Sequence, residues 1–213
     1  YYELVAGIFP SESGDFLVKF PNGTQIDSAG VLVIAVDGSN FSGSADFEII
    51  SNSSLADMTP IYVGSSASLS NTEMVILFQW NGQTDLVADI DYAMWGDNPS
   101  NLVDKTGISI DGPDGDNTPS TYLDDTPVNS QQFYPTAPIS GKSIERSSAR
   151  GEGETFVNGN GLLAHDETSE PIAQNFSLLN TPTPGTSPLT IPSGNGSGIA
   201  TISPDSALVD STL

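Results

Sequence analysis

The sequence predicts an all-β protein and favours a β-sandwich over an open sheet. Its apolar residues alternate with a period of two along short runs, whereas an amphipathic helix would repeat about every 3.6 residues. Turns rich in glycine, proline and asparagine separate the runs, a pattern typical of antiparallel strands that pack as two sheets. With 213 residues, of which 37% are hydrophobic, the chain can bury a substantial core.

The first part of the chain is predicted to open with two strands. Residues 16–20 alternate and run into an Asn-Gly turn, after which residues 30–36 form a continuous apolar run. We expect these two strands to pair as a hairpin. Short helical pieces are expected around residues 41–47 and 100–105.

A second hairpin is predicted in the middle of the chain. Residues 73–80 and 86–95 are two apolar runs separated by Asn81 and Gly82. Asn-Gly is preferred in tight hairpin turns, because both positions of such a turn require positive φ. We therefore expect the two runs to form adjacent antiparallel strands.

The chain is predicted to divide into a domain, a linker and a separate strand. Residues 1–185 contain the alternating runs, including later strands at 140–146 and 174–179. Residues 186–198 are rich in glycine, serine and proline, which predicts a linker. Residues 199–213 then predict an isolated strand that is donated to a neighbouring subunit, packs back on its own domain or begins a further module.

The charge of the chain excludes several classes of partner. It carries 27 acidic and 5 basic residues, a formal net charge of −22. Binding to nucleic acid or to anionic lipid depends on lysine and arginine, so we expect neither. The sequence lacks an apolar run of about 18 residues, which predicts no membrane insertion. It also has no cysteine from which a disulfide framework could form.

An acidic loop between residues 111 and 125 is the main candidate site. It contains five aspartates and no cationic side chain; the aspartates are Asp111, Asp114, Asp116, Asp124 and Asp125. Calcium prefers about six to eight oxygen ligands on a bent loop, so we predict that these carboxylates bind calcium. The spacing differs from that of an EF-hand, since Pro119 stands where that loop has glycine. The alternative is a solvated loop of Asx turns without a metal.

The single histidine, His165, is followed directly by Asp166 and Glu167. These neighbours would suit a general base or a transition-metal site, but the chain has no second histidine or cysteine to complete a zinc site. We therefore predict a turn histidine held by hydrogen bonds. The sequence also lacks a Gly-x-Ser-x-Gly segment that would present a nucleophile, so we predict no catalytic residues.

The order of these features resembles the bacterial lamin-tail domain, an immunoglobulin-like β-sandwich of secreted proteins. The similarity covers about residues 1–185. It is carried by the strands at 16–20, 31–36 and 74–80, the Asn81-Gly82 turn, the segment Ser143–Arg146, Phe176 and the closing segment 181–185. Two features differ from the family pattern: its opening strands have no counterpart here, and Phe176 stands where tryptophan is common. The resemblance implies an immunoglobulin-like fold and an accessory role.

These observations together predict a non-enzymatic structural or adhesive module that is extracellular or at the cell surface. We expect calcium to stiffen it, and we expect its partners to be copies of itself, in a head-to-tail filament, or other surface modules. The alternative is an accessory module that tethers a larger exported enzyme of the nuclease or phosphoesterase type. Fold alone does not decide between these roles.

Overall fold

The structure, a computed structural model, describes most of the chain. The described ranges are 15–27, 30–41, 43–65, 67–97, 102–147, 153–187, 200–201 and 206–210, the last two by their backbone. Residues 1–14 and most of the predicted linker lie outside them. The fold is all-β, as predicted. None of the helical segments in these ranges has the length and apolarity that crossing a bilayer requires.

The strands are short and are numbered in chain order. They are β1 (Phe16–Lys19), β2 (Gln25–Ile26), β3 (Ile34–Asp37), β4 (Phe47–Ile50), β5 (Ala56–Asp57), β6 (Thr59–Val63), β7 (Glu73–Gln79), β8 (Ala88–Trp95), β9 (Ser109–Ile110), β10 (Ser120–Thr121), β11 (Ser143–Arg146), β12 (Phe176–Leu179), β13 (Ala200–Thr201) and β14 (Ser206–Asp210). The helical segments are α1 (Ile172–Asn175) and 3₁₀ turns at Gly38–Asn40, Leu162–Ala164 and Glu167–Ser169.

Five strands form the main sheet, in the order β6-β1-β14-β7-β8, and every neighbouring pair is antiparallel. The hairpin predicted in the middle of the chain is confirmed, because β7 and β8 pair along their whole length. Its connection is longer than a two-residue turn. Asn81 Oδ1 accepts hydrogen bonds from the backbone N–H groups of Gln83 and Thr84, at 2.9 and 2.8 Å, and so closes an Asx turn.

Both faces of the main sheet are covered. Alternate residues of β1 and β7 point to opposite sides, as the pleat requires: Leu17 and Ile76 pack into one core, whereas Val18 and Leu77 pack into the other. The core around Val18 lies against a second sheet, β3-β4-β5. The core around Leu17 lies against α1 and the loops of residues 102–134. These layers confirm the predicted all-β sandwich.

The predicted opening hairpin is wrong. β1 pairs with β6 and β14, whereas the run at 30–36 contributes β3 to the second sheet, parallel to β4. Asp46 aligns these strands, because its backbone N–H donates to Val33 O at 2.8 Å and its carboxylate accepts from Val33 N at 2.7 Å. The helical piece expected at 41–47 is also wrong, since its described residues form a turn that leads into β4. Residues 102–105 of the other piece form no helix.

The two later strands are confirmed. β11 and β12 pair antiparallel, with Arg146 opposite Phe176. The Arg146 guanidinium lies 4.7 Å from the centre of the Phe176 ring and forms ion pairs with Asp91 of β8 and with Glu170. This contact ties the small β11-β12 sheet to the main sheet.

The C-terminal strand β14 lies inside the main sheet, between β1 and β7 of the same chain. Leu208 is the register partner of Val18 on one side and of Leu77 on the other. In this structure the strand is therefore not isolated: residues 206–210 pack back on their own domain. The reason is that β1 and β7 both need a partner for their facing backbone groups, and β14 supplies it.

Both edges of the main sheet are protected. β6 carries Pro60, which has no backbone N–H, next to an irregularity in its pairing with β1. Beside β8, Tyr134 N–H donates to Met94 O at 2.9 Å, and Asp89 N–H donates to Asn160 O at 3.1 Å. Neither edge presents a long unpaired strand to which another chain could add.

Candidate functional site

The acidic loop brings two of its predicted ligands together with a carboxylate from outside the loop. One carboxylate oxygen each of Asp85, Asp111 and Asp114 lie within 4.8 Å of one another. Sequence reasoning missed Asp85, because it lies far upstream of the loop, in the connection between β7 and β8. The proximity arises because that connection folds against the loop.

Asp85 is buried and holds the loop in place. Its Oδ2 accepts a hydrogen bond from Ser120 Oγ at 2.6 Å, and its Oδ1 accepts one from Gly112 N at 2.8 Å. The hydrogen bonds from Ser120 and Gly112 lower the pKa of Asp85 below its ordinary value. Gly112 fits here because it lacks a side chain: a Cβ would lie 2.6 Å from Asp85 Cα. The Asp85 carboxylate therefore stays charged into acidic solution.

A groove opens beside this cluster. It has a volume of about 640 Å³, and its lining includes Trp80, Asp85, Asp114 and Asn160. Asp111 and Asp114 are exposed, so that a hydrated cation can reach the cluster from solvent. Clustered carboxylate oxygens suit a hard cation such as calcium.

The other three predicted ligands do not join this cluster. Asp116 accepts a hydrogen bond from Thr118 N at 2.7 Å, and Asp114 accepts one from Asp116 N at 3.1 Å. Both are Asx turns, the alternative that we considered for this loop. Asp124 is exposed, and Asp125 is buried elsewhere.

Asp125 belongs to a buried ion cluster with Lys105 and Asp89. Lys105 Nζ lies 2.9 Å from Oδ2 of each aspartate and donates a hydrogen bond to the Tyr92 hydroxyl at 2.8 Å. Asn160 Nδ2 donates to the remaining Asp125 oxygen at 2.6 Å. The Asp125 carboxylate is thus committed to protein partners, which corrects its assignment to the calcium loop.

A β-bulge makes this ion cluster possible. Asp89 and Tyr92 are three residues apart, and in a regular strand they would point to opposite faces. The register of the β7-β8 pair shifts at Ile90, which turns both side chains to the same side. There the Tyr92 hydroxyl donates to Asp89 Oδ2 at 3.0 Å. No turn signal in the sequence marks this bulge.

Burial and pairing act on the ion cluster in opposite directions. Burial alone would lower the pKa of Lys105, but Asp89 and Asp125 outweigh it and raise that pKa above its ordinary value. Burial also raises the pKa of Asp89, and the attraction of Lys105 offsets this effect in part. Lys105 therefore carries its charge at neutral pH. The cluster joins β8 to the loops that cover it.

A second acidic cluster surrounds His165. One ligand atom each of Glu154, His165 and Glu167 lie within 4.8 Å of one another. An antiparallel bridge between Thr155 and Asp166 places Glu154 opposite Glu167, with Asp166 N–H donating to Thr155 O at 2.9 Å. His165 directly follows the 3₁₀ turn Leu162–Ala164 and has extended backbone. Sequence reasoning missed Glu154, which the bridge brings in from eleven positions upstream.

Comparisons with protein-family models, with curated proteins and with solved structures found no match. The resemblance to the lamin-tail domain therefore stays a prediction. What the geometry supplies is two groups of carboxylates with room for cations and one buried ion cluster. Clusters of this kind either attract a cation or brace the loops that carry them.

Proposed function

We propose that this chain is a non-enzymatic structural or adhesive module that acts outside the cell, and that its C-terminal strand links copies of it. The observation that carries the proposal is the position of β14 in the middle of the main sheet. β14 pairs on both sides, with β1 and β7, although residues 180–205 separate it from β12 along the chain. β13, which lies within this connection, pairs with β2 of the same chain, so that an exchanged tail takes β13 with it. Both strands can be supplied by another copy in the same register.

Exchange of β14 requires no new contacts. The same backbone pairing with β1 and β7 forms whether β14 comes from the same chain or from the next one. The equilibrium between the self-paired monomer and the assembly then depends on the protein concentration and on the entropy of the connecting segment. The free-energy cost of closing that segment changes by only about 0.6 kcal/mol for each doubling of its length. Reciprocal exchange between two copies would close a dimer; we propose instead that each copy donates its strand to one neighbour and accepts a strand from another, so that the assembly is head to tail and does not close.

The place of β14 is also where a foreign strand can enter the sheet. The outer edges are blocked by Pro60 in β6 and by the backbone bonds that cover β8. A chain whose own β14 has left the sheet exposes the inner edges of β1 and β7, which then act as a template for strand addition. The lamin-tail resemblance implies an accessory role, as an adhesive or scaffolding module attached to exported enzymes or surface proteins.

Calcium at Asp85, Asp111 and Asp114 is the second part of the proposal. The cluster offers oxygen ligands alone and opens onto a groove, and the formal charge of −22 attracts cations to the whole chain. A bound ion would replace the repulsion among these carboxylates with attraction. It would thereby hold the acidic loop against the connection between β7 and β8 and stiffen the module.

The assembly is tested with cysteines at the register partners Leu77 and Leu208. The chain has no cysteine of its own, so that every disulfide comes from the introduced pair. The Leu77→Cys/Leu208→Cys variant is incubated at high concentration, oxidised and run on a non-reducing gel. Strand exchange gives a ladder of covalent multimers that a reductant collapses. Each single-cysteine variant is the control, because it can form no product larger than a dimer.

Cross-linked monomer as the sole product at every concentration would contradict assembly by strand exchange. The chain would then be a self-contained module, and tethering of a larger exported enzyme would be the remaining role. Efficient formation of covalent dimer by a single-cysteine control would equally contradict the proposal, since it would show association by another surface.

A further inference from the structure

The cluster of Glu154, His165 and Glu167 combines one imidazole nitrogen with two carboxylates in a largely buried place. Glu154 is 6% exposed and Glu167 2%, and His165 Nδ1 lies 3.9 Å from Glu154 Oε2. We propose that these three side chains bind one divalent transition-metal ion, with zinc as the ion that fits best. The inference does not depend on the assembly or on the calcium site proposed above.

The main support is an oxygen of Glu154 without a hydrogen-bond partner. Glu154 Oε1 is buried and unsatisfied. Leaving a buried acceptor unpaired costs about 1–3 kcal/mol, and more when the group is charged, so that folded proteins rarely do so. A cation held between Glu154 and His165 supplies the missing partner, because a carboxylate oxygen can bind a metal in place of a donor.

The set of donors selects a transition metal over calcium. Zinc binds nitrogen and oxygen ligands at about 2.0–2.2 Å in a tetrahedral arrangement, with water as a fourth ligand where the protein supplies three. Two donors on such an ion are roughly 3.4 Å apart, so the 3.9 Å between His165 Nδ1 and Glu154 Oε2 has to close only slightly. Calcium instead prefers about six or more oxygens and rarely an imidazole.

The backbone holds His165 in place before any metal binds. Gly159 N–H donates to Ala164 O at 2.9 Å, and Gly161 N–H donates to His165 O at 2.8 Å, so that the loop wraps around the histidine. Gly159 packs so closely that a Cβ would overlap His165 O. Leu163 and Ala164 have positive φ, at 58° and 63°, a conformation that persists only where the surroundings enforce it. The ligand is therefore pre-organised.

The charges around the cluster favour a cation. Arg146 interacts electrostatically with Glu167, but it is also paired with Asp91 and Glu170. Around the cluster there are thus four carboxylates and one guanidinium: those of Glu154, Glu167, Asp91 and Glu170, and that of Arg146. The local charge is negative, which stabilises a bound divalent ion in a place where little solvent screens the interaction.

The single histidine of the chain makes the site directly observable. Zinc chloride is titrated into the full chain, free of any histidine tag, and the imidazole C–H signals are followed by proton NMR. We expect these signals to shift and to saturate at one equivalent of Zn²⁺, whereas Ca²⁺ at the same concentration leaves them in place. If the imidazole signals shift with pH but not with Zn²⁺, His165 and Glu154 form a simple ion pair and the proposal is overturned. Shifts with Ca²⁺ as large as those with Zn²⁺ would also overturn it.

Matched variants assign the ligands. Glu154→Gln keeps the size of the side chain and removes its charge, and it should weaken zinc binding at least tenfold in calorimetric titration. Asp114→Asn, in the acidic loop, is the control and should bind zinc as the unaltered chain does. Unchanged affinity in Glu154→Gln, or an equal loss in Asp114→Asn, would overturn the assignment. If circular dichroism shows that Glu154→Gln is unfolded, His165→Asn, at a side chain 25% exposed, takes its place with the same expected loss.

Discussion

Replacing Lys105 with methionine should destabilise the protein more than any other single removal of a charge in the described residues. The substitution keeps most of the apolar length of the side chain but deletes the ammonium. The lysine side chain is 0% exposed, and those of its partners Asp89 and Asp125 are 2% and 1% exposed. Methionine therefore leaves two buried carboxylates without the cation that they share.

The expected magnitude follows from this geometry. Removing one member of a buried ion pair costs about 3–5 kcal/mol, because the remaining charge stays desolvated. Here one ammonium lies 2.9 Å from each of two carboxylates, so the upper half of that range applies. We expect Lys105→Met to lower the free energy of unfolding by about 4–5 kcal/mol at neutral pH. Lys142→Met, in a turn near the surface, should cost less than about 1 kcal/mol.

The loss should also depend on pH. Burial already raises the pKa of Asp89 above its ordinary value, and without Lys105 that pKa rises further. A carboxyl whose pKa is raised on folding binds its proton more tightly in the folded state, so that stability falls as pH increases through this range. The free energy of unfolding that Lys105→Met loses relative to the unaltered chain should therefore be smaller in mild acid than at neutral pH.

The assay is urea unfolding followed by the fluorescence of the two tryptophans, in mild acid and at neutral pH. The double variant Asp89→Asn/Lys105→Met, which removes one of the two stranded charges, should recover part of the loss. A cost below about 1 kcal/mol at neutral pH, or an equal cost at both pH values, would refute the reasoning.

Three further predictions concern the loops. Excess calcium should raise the melting temperature above that measured in chelator, and a hundredfold excess over the dissociation constant should add about 2.7 kcal/mol to the free energy of unfolding. Asp114→Asn should abolish most of this difference. Melts of the unaltered chain that superimpose with and without calcium would contradict the calcium site. Because the pKa of Asp85 is lowered on folding, its contribution to stability is present above the unfolded-state pKa of 3.8 and is lost as pH falls. Asp85→Asn should therefore make the free energy of unfolding in urea less dependent on acid pH. An unchanged pH dependence would show that this carboxylate is not involved. Gly159→Ala places a Cβ against His165 O and should lower the free energy of unfolding by about 1–3 kcal/mol. An unchanged free energy of unfolding in the same assay would show that the loop around His165 can move to accommodate the added methyl group.

Local patterns predicted the local parts of the fold. β7 contains an uninterrupted apolar run, Met74–Phe78, and Asn81 closes the connection to β8, so both the strands and their pairing follow from neighbouring residues. Arg146 and Phe176 likewise mark the β11-β12 pair. What the sequence did not reveal are pairings between distant segments, such as β14 beside β1, because five residues of strand carry no information about their partner. Asp46, which aligns β3 with β4, looks like any polar loop residue.

The candidate sites show the same difference between residues that are close in sequence and residues that meet only in the folded chain. Asp111 and Asp114 were found because they are close together in the sequence, but Asp85 and Glu154 reach their clusters through tertiary contacts. Asp125 was assigned to the acidic loop by its position, whereas the buried Lys105 decides its role. An apolar pattern does not reveal a lysine with 0% exposure, since lysine is almost always at the surface. The bulge at Ile90 that aims Asp89 at Lys105 left no signal either.

The most direct test of the account measures whether β14 can be supplied by a separate molecule. A chain that ends at residue 198 is mixed with a labelled peptide of residues 199–213, and binding and thermal stability are recorded. We expect the shortened chain to be less stable than the full chain, to bind one peptide and to regain stability on binding. A Leu208→Pro peptide, which lacks one backbone N–H, should bind much more weakly. A shortened chain that melts like the full chain and ignores the peptide would contradict this expectation.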